Sequence, residues 1–216
     1  MPTAFELPAL YPIVDVRGDR AFVEALERAH ALAVALADAG ITLIQLRAKA
    51  LAAGPLTELA CSLVASLETR GCLLIVNDRV DAVLASGAAG VHLGEEDLPV
   101  AAARELLGAE SIVGYSTHAI DDIRRAPAGA SYLGFGPVFE SPTKAGVREP
   151  RGLERLAAAC RATPLPVAAI GGVTLATAPD VWAAGAASCA VISEIERASD
   201  VAALVRAWLV AAAARR

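Results

Sequence analysis

Apolar runs and amphipathic stretches alternate along the whole chain. Runs of aliphatic or β-branched residues, typical of strands, lie at 11–16, 41–46, 72–76, 89–93, 111–115, 131–136, 166–171 and 188–193. Between them, stretches rich in alanine, leucine and glutamate have helical spacing, including 20–39, 55–70, 99–107, 152–161, 174–184 and 199–214. Apolar strands separated by helices predict a parallel sheet covered by helices. The eight strand-like runs favour a TIM (β/α)₈ barrel, as a single domain over residues 1–216, over an open doubly wound sheet.

Proline and glycine add two local expectations. Pro12 falls in the first strand, where it removes a backbone donor, so this strand is expected to begin irregularly or only after Pro12. Glycines that cap the preceding helices are expected shortly before strands, at Gly40, Gly71, Gly90, Gly129 and Gly185.

Composition narrows the classes of function. The chain has 56% apolar residues, enough for a large core, and a net charge of -5 without a long run of either sign, which argues against a nucleic-acid partner. The N-terminus lacks a secretory pattern, and the alanine-rich stretches carry charges or are too short to span a membrane. The four cysteines contain no CxxC pair and are expected to be free thiols in a reducing compartment. A cytoplasmic protein without membrane contact is predicted.

Polar residues cluster where the predicted strands end. In a barrel these ends meet on one face, the usual location of the active site. The residues concerned are Gln45, Arg47, Lys49, Asn77, Asp78, His92, Asp97, Ser116, Thr117, His118, the loop SPTKAG, Gly171, Gly172 and Ser193.

Two carboxylates and two cations in this set suggest a chemistry. Asp78 and Asp97 follow adjacent strands and suit Mg²⁺, a hard ion that takes few protein oxygens and leaves positions for water and phosphate. Arg47 and Lys49, two residues apart, would point to one side and grip a diphosphate. A metal and cations at one diphosphate suggest that it is the leaving group.

A second anion site is predicted around the sequence IGGVT. Glycines let the backbone approach a ligand, so Gly171 and Gly172 would bind a phosphate together with Ile192 and Ser193. Two separate anion sites imply two phosphorylated substrates, or one substrate with phosphates at both ends.

Structural alternatives remain open for each residue. Asp78 and Asp97 could each cap a helix, and the two glycines could form only a turn. Arg47 and Lys49 could be solvated, and His92 and His118 could be hydrogen-bonded polar groups without a chemical role. Their joint placement after successive strands favours the functional interpretation.

Seven ordered motifs resemble the thiamine-phosphate synthase family: QLRAK, VNDRVD, GVHLGEEDLP, GYSTH, YLGFGPVFESPTK, AIGGVT and AVIS. They extend from Tyr11 to about Ile195. The resemblance implies a TIM barrel that joins 4-amino-2-methyl-5-hydroxymethylpyrimidine diphosphate to thiazole phosphate, forming thiamine phosphate and pyrophosphate. It also implies a dissociative mechanism, in which pyrophosphate leaves before the thiazole nitrogen captures a pyrimidine methylene cation.

The resemblance also implies roles for individual residues. Pyrimidine diphosphate would be bound by Gln45, Arg47, Lys49 and Asn77, Mg²⁺ by Asp78 and Asp97, and the leaving pyrophosphate by Ser116 and Lys144. Arg47, Ser116 and Lys144 are the predicted catalytic residues. The thiazole phosphate would lie near Ser141, Thr143, Gly172, Ile192 and Ser193.

Some residues depart from the family pattern. Ser141 stands where the family commonly has threonine, Thr174 where asparagine is common, and VDV where a Thr-Asp pair is frequent. The loop 141–152 also resembles the TenI branch, a thiazole tautomerase in which His118 could be the acid/base, and a non-catalytic phosphate-binding barrel is a third hypothesis. We expect this loop to act as a lid. The sequence leaves the oligomeric state open, with a homo-oligomer among the alternatives.

Overall fold

Eight parallel strands close into a barrel in this computed structural model, which describes residues 5–17, 22–140 and 149–215. The strands are β1 (Leu10–Asp15), β2 (Leu43–Arg47), β3 (Leu73–Asn77), β4 (Gly90–Leu93), β5 (Ile112–Thr117), β6 (Tyr132–Phe135), β7 (Val167–Ile170) and β8 (Ser188–Val191). Each strand pairs with the next in the chain, and β8 closes the ring on β1 with Leu10 opposite Cys189. The predicted (β/α)₈ barrel is confirmed.

Helices follow every strand on the outside of the barrel. They are α1 (Phe22–Asp38), α2 (Ala53–Glu68), α3 (Val80–Ser86), α4 (Val100–Leu107), α5 (Ile120–Arg124), α6 (Gly152–Arg161), α7 (Ala178–Ala183), α8 (Ser193–Glu196) and α9 (Val201–Ala213). The shortest, α5 and α8, lack enough residues to show a helical period in the sequence. In the ranges given above, no helix is both long and apolar enough to cross a bilayer.

The alternation of side chains along each strand creates two apolar layers. Inward-facing residues, including Tyr11, Ile13, Leu43, Ile75 and Tyr132, fill the barrel. Outward-facing residues of the same strands pack against the helices in a larger cluster. The inward register of β2 continues from Leu43 to Gln45 and Arg47, so it leads from the core to the mouth of the barrel.

The expectation that β1 begins irregularly or after Pro12 is wrong. The strand begins at Leu10 and continues through Pro12, which pairs in register with Val191. The carbonyl of Ala9 faces β8, where it accepts from Cys189, so alternation turns the nitrogen of Pro12 toward β2. Pairing with β2 begins only at Ile13, and therefore no ladder bond is lost.

Gly90 does not cap a helix, contrary to expectation. Gly87, with φ 73°, ends α3, and Gly90 is the first residue of β4. A Cβ atom at Gly90 would lie 1.9 Å from the carbonyl oxygen of Ile112 in β5, so glycine is required there by a close backbone approach. Gly40, Gly71 and Gly185 have positive φ shortly after the ends of α1, α2 and α7, as expected for caps. Gly129 also has positive φ, but the cap residue of α5 is Arg125, so Gly129 does not cap that helix, contrary to expectation.

Candidate active site

A buried carboxylate holds the guanidinium of Arg47 at the end of β2. Nη1 of Arg47 lies 2.6 Å from Oδ1 of Asp15, whose side chain is 2% exposed at the end of β1. Arg17 contacts the other oxygen of Asp15 at 3.1 Å and also contacts Glu196 at the end of α8. Because the carboxylate is buried between two arginines, it fixes the orientation of Arg47. Arg47 is therefore not a freely solvated cation.

Lys49 and Asp78 form an ion pair across the mouth of the barrel. Nζ of Lys49 lies 3.0 Å from Oδ2 of Asp78, and the lysine side chain is 57% exposed. A pair this open to solvent contributes at most about 1 kcal/mol to folding. The ion pair is weak enough to be broken easily, so the exposed ammonium group of Lys49 remains accessible to an anionic ligand.

The backbone of Asp78 is in a left-handed conformation, with φ 66°. The N–H of Arg79 donates to the carbonyl of Asn77 at 2.9 Å, which closes a three-residue turn around Asp78. The N–H of Asp78 donates to the carbonyl of His92 in the next strand. Helix α3 begins at Val80 with Arg79 at its cap position and no side-chain cap bond, so Asp78 is not a helix cap. Strain of this kind is typical of functional sites.

Asp97 lies beside Asp78, as the order of the strands predicts. Burial raises the pKa of Asp97, the hydrogen bond from the backbone N–H of Gly94 opposes this shift, and the carboxylate of Asp78 raises the pKa further. The Gly94 N–H donates to Oδ2 of Asp97 at 2.6 Å. Helix α4 has Pro99 at its cap position without a side-chain cap bond, so Asp97 does not cap it. The two carboxylates form one cluster.

This cluster fits Mg²⁺ in its composition. Within the described ranges, no group of three or more histidine, cysteine, aspartate or glutamate side chains could hold a metal ion by itself. Two carboxylates suit an ion that binds through one or two protein carboxylates plus water and substrate phosphates. Beside Asp78, Nδ2 of Asn77 is buried without a hydrogen-bond partner. This amide group could therefore donate to an acceptor such as a phosphate oxygen.

Ser116 lies at the end of β5, at one end of a row of hydrogen-bonded side chains inside the barrel. Its Oγ is 2.9 Å from Nε2 of His92, and Nδ1 of His92 is 2.9 Å from the hydroxyl of Tyr132. Tyr132 contacts the hydroxyl of Tyr11 at 2.8 Å, and Tyr11 accepts from Nε2 of Gln45 at 3.0 Å. We call these five side chains the interior relay. Gln45 and Ser116, predicted separately as substrate-binding residues, are its two ends.

His118 lies just after β5, outside the interior relay. Its Nδ1 is 2.9 Å from the carbonyl oxygen of Gly136, and its backbone N–H donates to Asp122. A carbonyl can only accept, so Nδ1 carries the proton and the lone pair of the neutral ring is on Nε2.

Gly171 and Gly172 pack against the segment that follows β6. Both have positive φ, 95° and 66°. A Cβ at Gly171 would lie 2.5 Å from Cβ of Pro137, and one at Gly172 would lie 2.3 Å from the carbonyl oxygen of Glu140. Glycine is therefore required here by a turn and by close packing. Phosphate binding at these glycines stays a prediction.

Helix α8 begins at Ser193, with Ile192 at the cap position. The carboxylate of Glu194 accepts from the N–H of Leu175 at 3.0 Å and from the indole N–H of Trp208 at 2.9 Å. These bonds fix α8 to the loop after β7 and to α9. Ser193 is thus the first residue, and Ile192 the cap residue, of a short extra helix, an element that often binds phosphate in barrels of this kind.

The remaining predicted residues lie outside the described ranges. Ser141, Thr143 and Lys144 belong to this group, as does most of the loop expected to act as a lid.

Two cavities lined by described residues lie away from the polar cluster. One of about 790 Å³ lies at the opposite, amino-terminal end of the strands, lined by Phe5, Trp182 and Arg215 among others. Another, of about 530 Å³, lies beside α8 and includes Thr174, Ser193 and Glu194. The charged and strained residues lie at the strand ends and not in the larger cavity, which favours the strand ends as the active site.

Several site residues were missed from the sequence. Asp15 ends the first strand, so the rule that site residues lie at strand ends could have identified it. Nothing in the sequence indicates that it pairs with Arg47. Arg17 and Glu196 meet only because the ring closes. Tyr11 and Tyr132 look like ordinary core residues, and nothing in the sequence indicates that their hydroxyls meet.

Comparison with known proteins identifies relatives along most of the chain. Residues 10–195 match the family described as Thiamine monophosphate synthase. Thiamine-phosphate synthases from Anaeromyxobacter dehalogenans and Moorella thermoacetica are 46% and 45% identical, over 74% and 77% of this chain and 72% and 80% of theirs. The solved structure of thiamine phosphate pyrophosphorylase from Pyrococcus furiosus has a TM-score of 0.81 at 30% identity, covering 96% of both chains.

Proposed function

The chain belongs to the thiamine monophosphate synthase family, and we propose that the strand ends of its barrel join hydroxymethylpyrimidine diphosphate to thiazole phosphate, releasing pyrophosphate. The activity is that of a transferase acting on phosphorylated small molecules.

The observation that carries this proposal is the charge arrangement around Arg47, Lys49, Asp78 and Asp97. A fixed guanidinium and an accessible ammonium lie at the same end of the barrel as two clustered carboxylates. Cations bind a diphosphate directly, whereas carboxylates repel it unless a metal lies between them. The arrangement therefore supports a diphosphate site that includes a divalent cation.

In the proposed mechanism, the protein stabilises charge on the departing group. Arg47, held by Asp15, offers a planar pair of donors to the diphosphate, and Lys49 adds a mobile point charge. Ser116 and the unpartnered amide of Asn77 add neutral donors. Mg²⁺ bound by Asp78 and Asp97 would neutralise the negative charge that develops on pyrophosphate. Breaking the bond in this way needs no protein nucleophile.

The thiazole phosphate is proposed to bind between the loop after β7 and α8. Glu194 connects these two elements, so Gly172, Ile192 and Ser193 are held in fixed relation to each other. In this proposal the second anion site is separate from the carboxylates. Separation lets the neutral thiazole nitrogen approach the pyrimidine while its phosphate stays anchored.

The test is a condensation assay with purified protein, both substrates, and either Mg²⁺ or a chelator, measuring thiamine phosphate and pyrophosphate. We expect both products only with Mg²⁺. The variant Asp78→Asn should lose most activity, because it removes a metal ligand while asparagine tolerates the left-handed backbone. Asp81→Asn is the matched control: Asp81 pairs with Arg79 on the surface of α3 and should keep full activity.

Absence of pyrophosphate release by the unmodified protein would overturn the proposal. Full activity of Asp78→Asn would overturn the metal site alone. Calorimetric binding of both substrates without any turnover would instead favour a non-catalytic phosphate-binding barrel.

The tautomerase is the second candidate, because Nδ1 of His118 donates to a backbone carbonyl, which orients the ring and makes Nε2 the nitrogen that a general base would use. Its signature would be conversion of the thiazole carboxylate tautomers without Mg²⁺, abolished by His118→Ala. Retention of that conversion in the variant would exclude His118 as the base.

A further inference from the structure

The interior relay crosses the barrel through residues of five strands. Tyr11 and Tyr132 are fully buried, and Gln45 is 2% exposed. Buried polar groups in such number are retained only when each is hydrogen-bonded, and these bonds meet that condition. The row ends at Ser116, a residue proposed above to bind the leaving pyrophosphate.

Glycines in β5 and β6 make room for the central part of the relay. A Cβ atom at Gly114 would lie 2.3 Å from Cζ of Tyr132 and 2.4 Å from Nδ1 of His92. One at Gly134 would lie 3.2 Å from Cε1 of His92. The strands therefore omit side chains where His92 and Tyr132 meet, so their contact is a built feature of the barrel.

Counting protons gives the relay a direction. Gln45 donates to the hydroxyl of Tyr11. Among the described residues no other acceptor bonds either phenol, so the proton of Tyr11 goes to Tyr132 and the proton of Tyr132 goes to Nδ1 of His92. Burial raises the pKa of both phenols, so both keep their protons at neutral pH.

The direction fixes the protonation of His92. If Nδ1 accepts from Tyr132, the neutral ring carries its proton on Nε2 and donates it to Oγ of Ser116. A ring protonated on both nitrogens would leave the proton of Tyr132 without an acceptor in a fully buried position. The serine hydroxyl then accepts from His92, and its own proton is directed elsewhere.

We propose that His92 is a positioning residue: Tyr132 holds its ring in the Nε2–H form, which turns the hydroxyl proton of Ser116 toward a phosphate oxygen of the substrate. The assignment of that oxygen rests on the proposed function. Phosphate oxygens are acceptors, so a serine that presents a proton binds them and one that presents only lone pairs does not.

The opposite direction is chemically distinct. Were the amide of Gln45 turned so that its oxygen faced Tyr11, both phenols would donate toward Gln45 and Nδ1 of His92 would carry the proton. Ser116 would then donate its proton to Nε2 and have none for a phosphate. The two directions thus predict opposite tautomers of one histidine.

Long-range ¹H–¹⁵N spectra of histidine-labelled protein distinguish the tautomers directly. The chain has only three histidines, so each can be assigned by substitution. We expect His92 to be protonated on Nε2 alone. Proton on Nδ1 alone, or on both nitrogens, would overturn the proposal. This readout needs no turnover, so its outcome is separate from that of the condensation assay.

Two substitutions that each remove one buried hydroxyl form a matched pair. Tyr132→Phe removes the donor to Nδ1 and should give a mixture of tautomers, whereas Tyr11→Phe leaves that donor in place and should keep the Nε2–H form. Equal spectra of His92 in the two variants would refute the relay.

Kinetics test whether the orientation matters. His92→Phe should lower kcat by about ten- to a hundred-fold, a range like that found when the hydrogen-bond partner of a metal-coordinating residue is removed. In protein that already carries Ser116→Ala, the same change should cost less than about three-fold, since its effect acts through the serine hydroxyl. Full additivity of the two substitutions would show that His92 does not act through Ser116.

Discussion

Replacing Asp78 by glycine and by alanine tests whether its left-handed backbone is strained. Both substitutions remove the carboxylate and the ion pair with Lys49, so these losses cancel when the two variants are compared. A side chain at φ 66° costs about 1–2 kcal/mol, and glycine avoids this cost. Glycine loses about 0.5–1 kcal/mol through the greater entropy of its unfolded chain. The free energy of unfolding of Asp78→Gly should therefore be about 1 kcal/mol higher than that of Asp78→Ala, so the glycine variant is the more stable one.

Urea denaturation measures this difference, which corresponds to a Tm difference of about 2–4 °C in a domain of this size. Asp81, in the first turn of α3, is the matched control position, because alanine is favoured over glycine in a helix, by up to about 1 kcal/mol. The order of stability should therefore reverse between the two positions. If alanine is the more stable substitution at both, Asp78 is not strained. Both Asp78 variants should lack synthase activity, because both lack the carboxylate. Such a result would show that the carboxylate is needed for activity whatever the stability of the turn.

Further predictions concern carboxylates and thiols. Burial and the neighbouring Asp78 raise the pKa of Asp97, so ionised Asp97 destabilises the fold at neutral pH. Asp97→Asn should therefore raise the Tm of the metal-free protein at neutral pH by about 1–3 °C. This increase in Tm should vanish below the ordinary pKa of aspartate, where Asp97 is protonated in both the folded and the unfolded state. Asp15→Asn should raise the KM for the pyrimidine diphosphate about ten-fold by loosening Arg47, measured by initial rates, and an unchanged KM would contradict the role given to the ion pair. In a thiol titration of native protein at pH 8, only the exposed Cys61 should react rapidly, because burial raises the pKa of the other three thiols to about 11 or 12. Rapid reaction of a second thiol would contradict this expectation.

The fold and much of the site could be predicted because both follow from the order of strands and helices along the chain. Strands and helices alternate with clear periods, and the strand-end rule brings Arg47, Asn77 and Asp78 to one face. The ion pair between Lys49 and Asp78 was not predictable, since it joins the ends of β2 and β3 through side-chain conformations. The conformation of Asp78 was equally hidden, because a residue type alone does not specify a positive φ.

The interior of the barrel was the least predictable part. The contact of Tyr11 with Tyr132 joins residues 121 positions apart across the ring. Which inward residues meet depends on strand tilt and stagger, which a hydrophobic pattern does not specify.

Closure of the ring has a consequence for the way the protein is made. Arg17 contacts both Asp15, at the end of β1, and Glu196, which lies 179 positions after Arg17, so this bridge exists only when β1 and β8 have paired. Contacts this distant in sequence form late, because long segments must be ordered before they are gained. A nascent chain that ends before β8 can contain the ends of the first seven strands and still lack the complete support of Arg47. Catalytic competence should thus arise at the last step of folding, when the two ends of the chain meet.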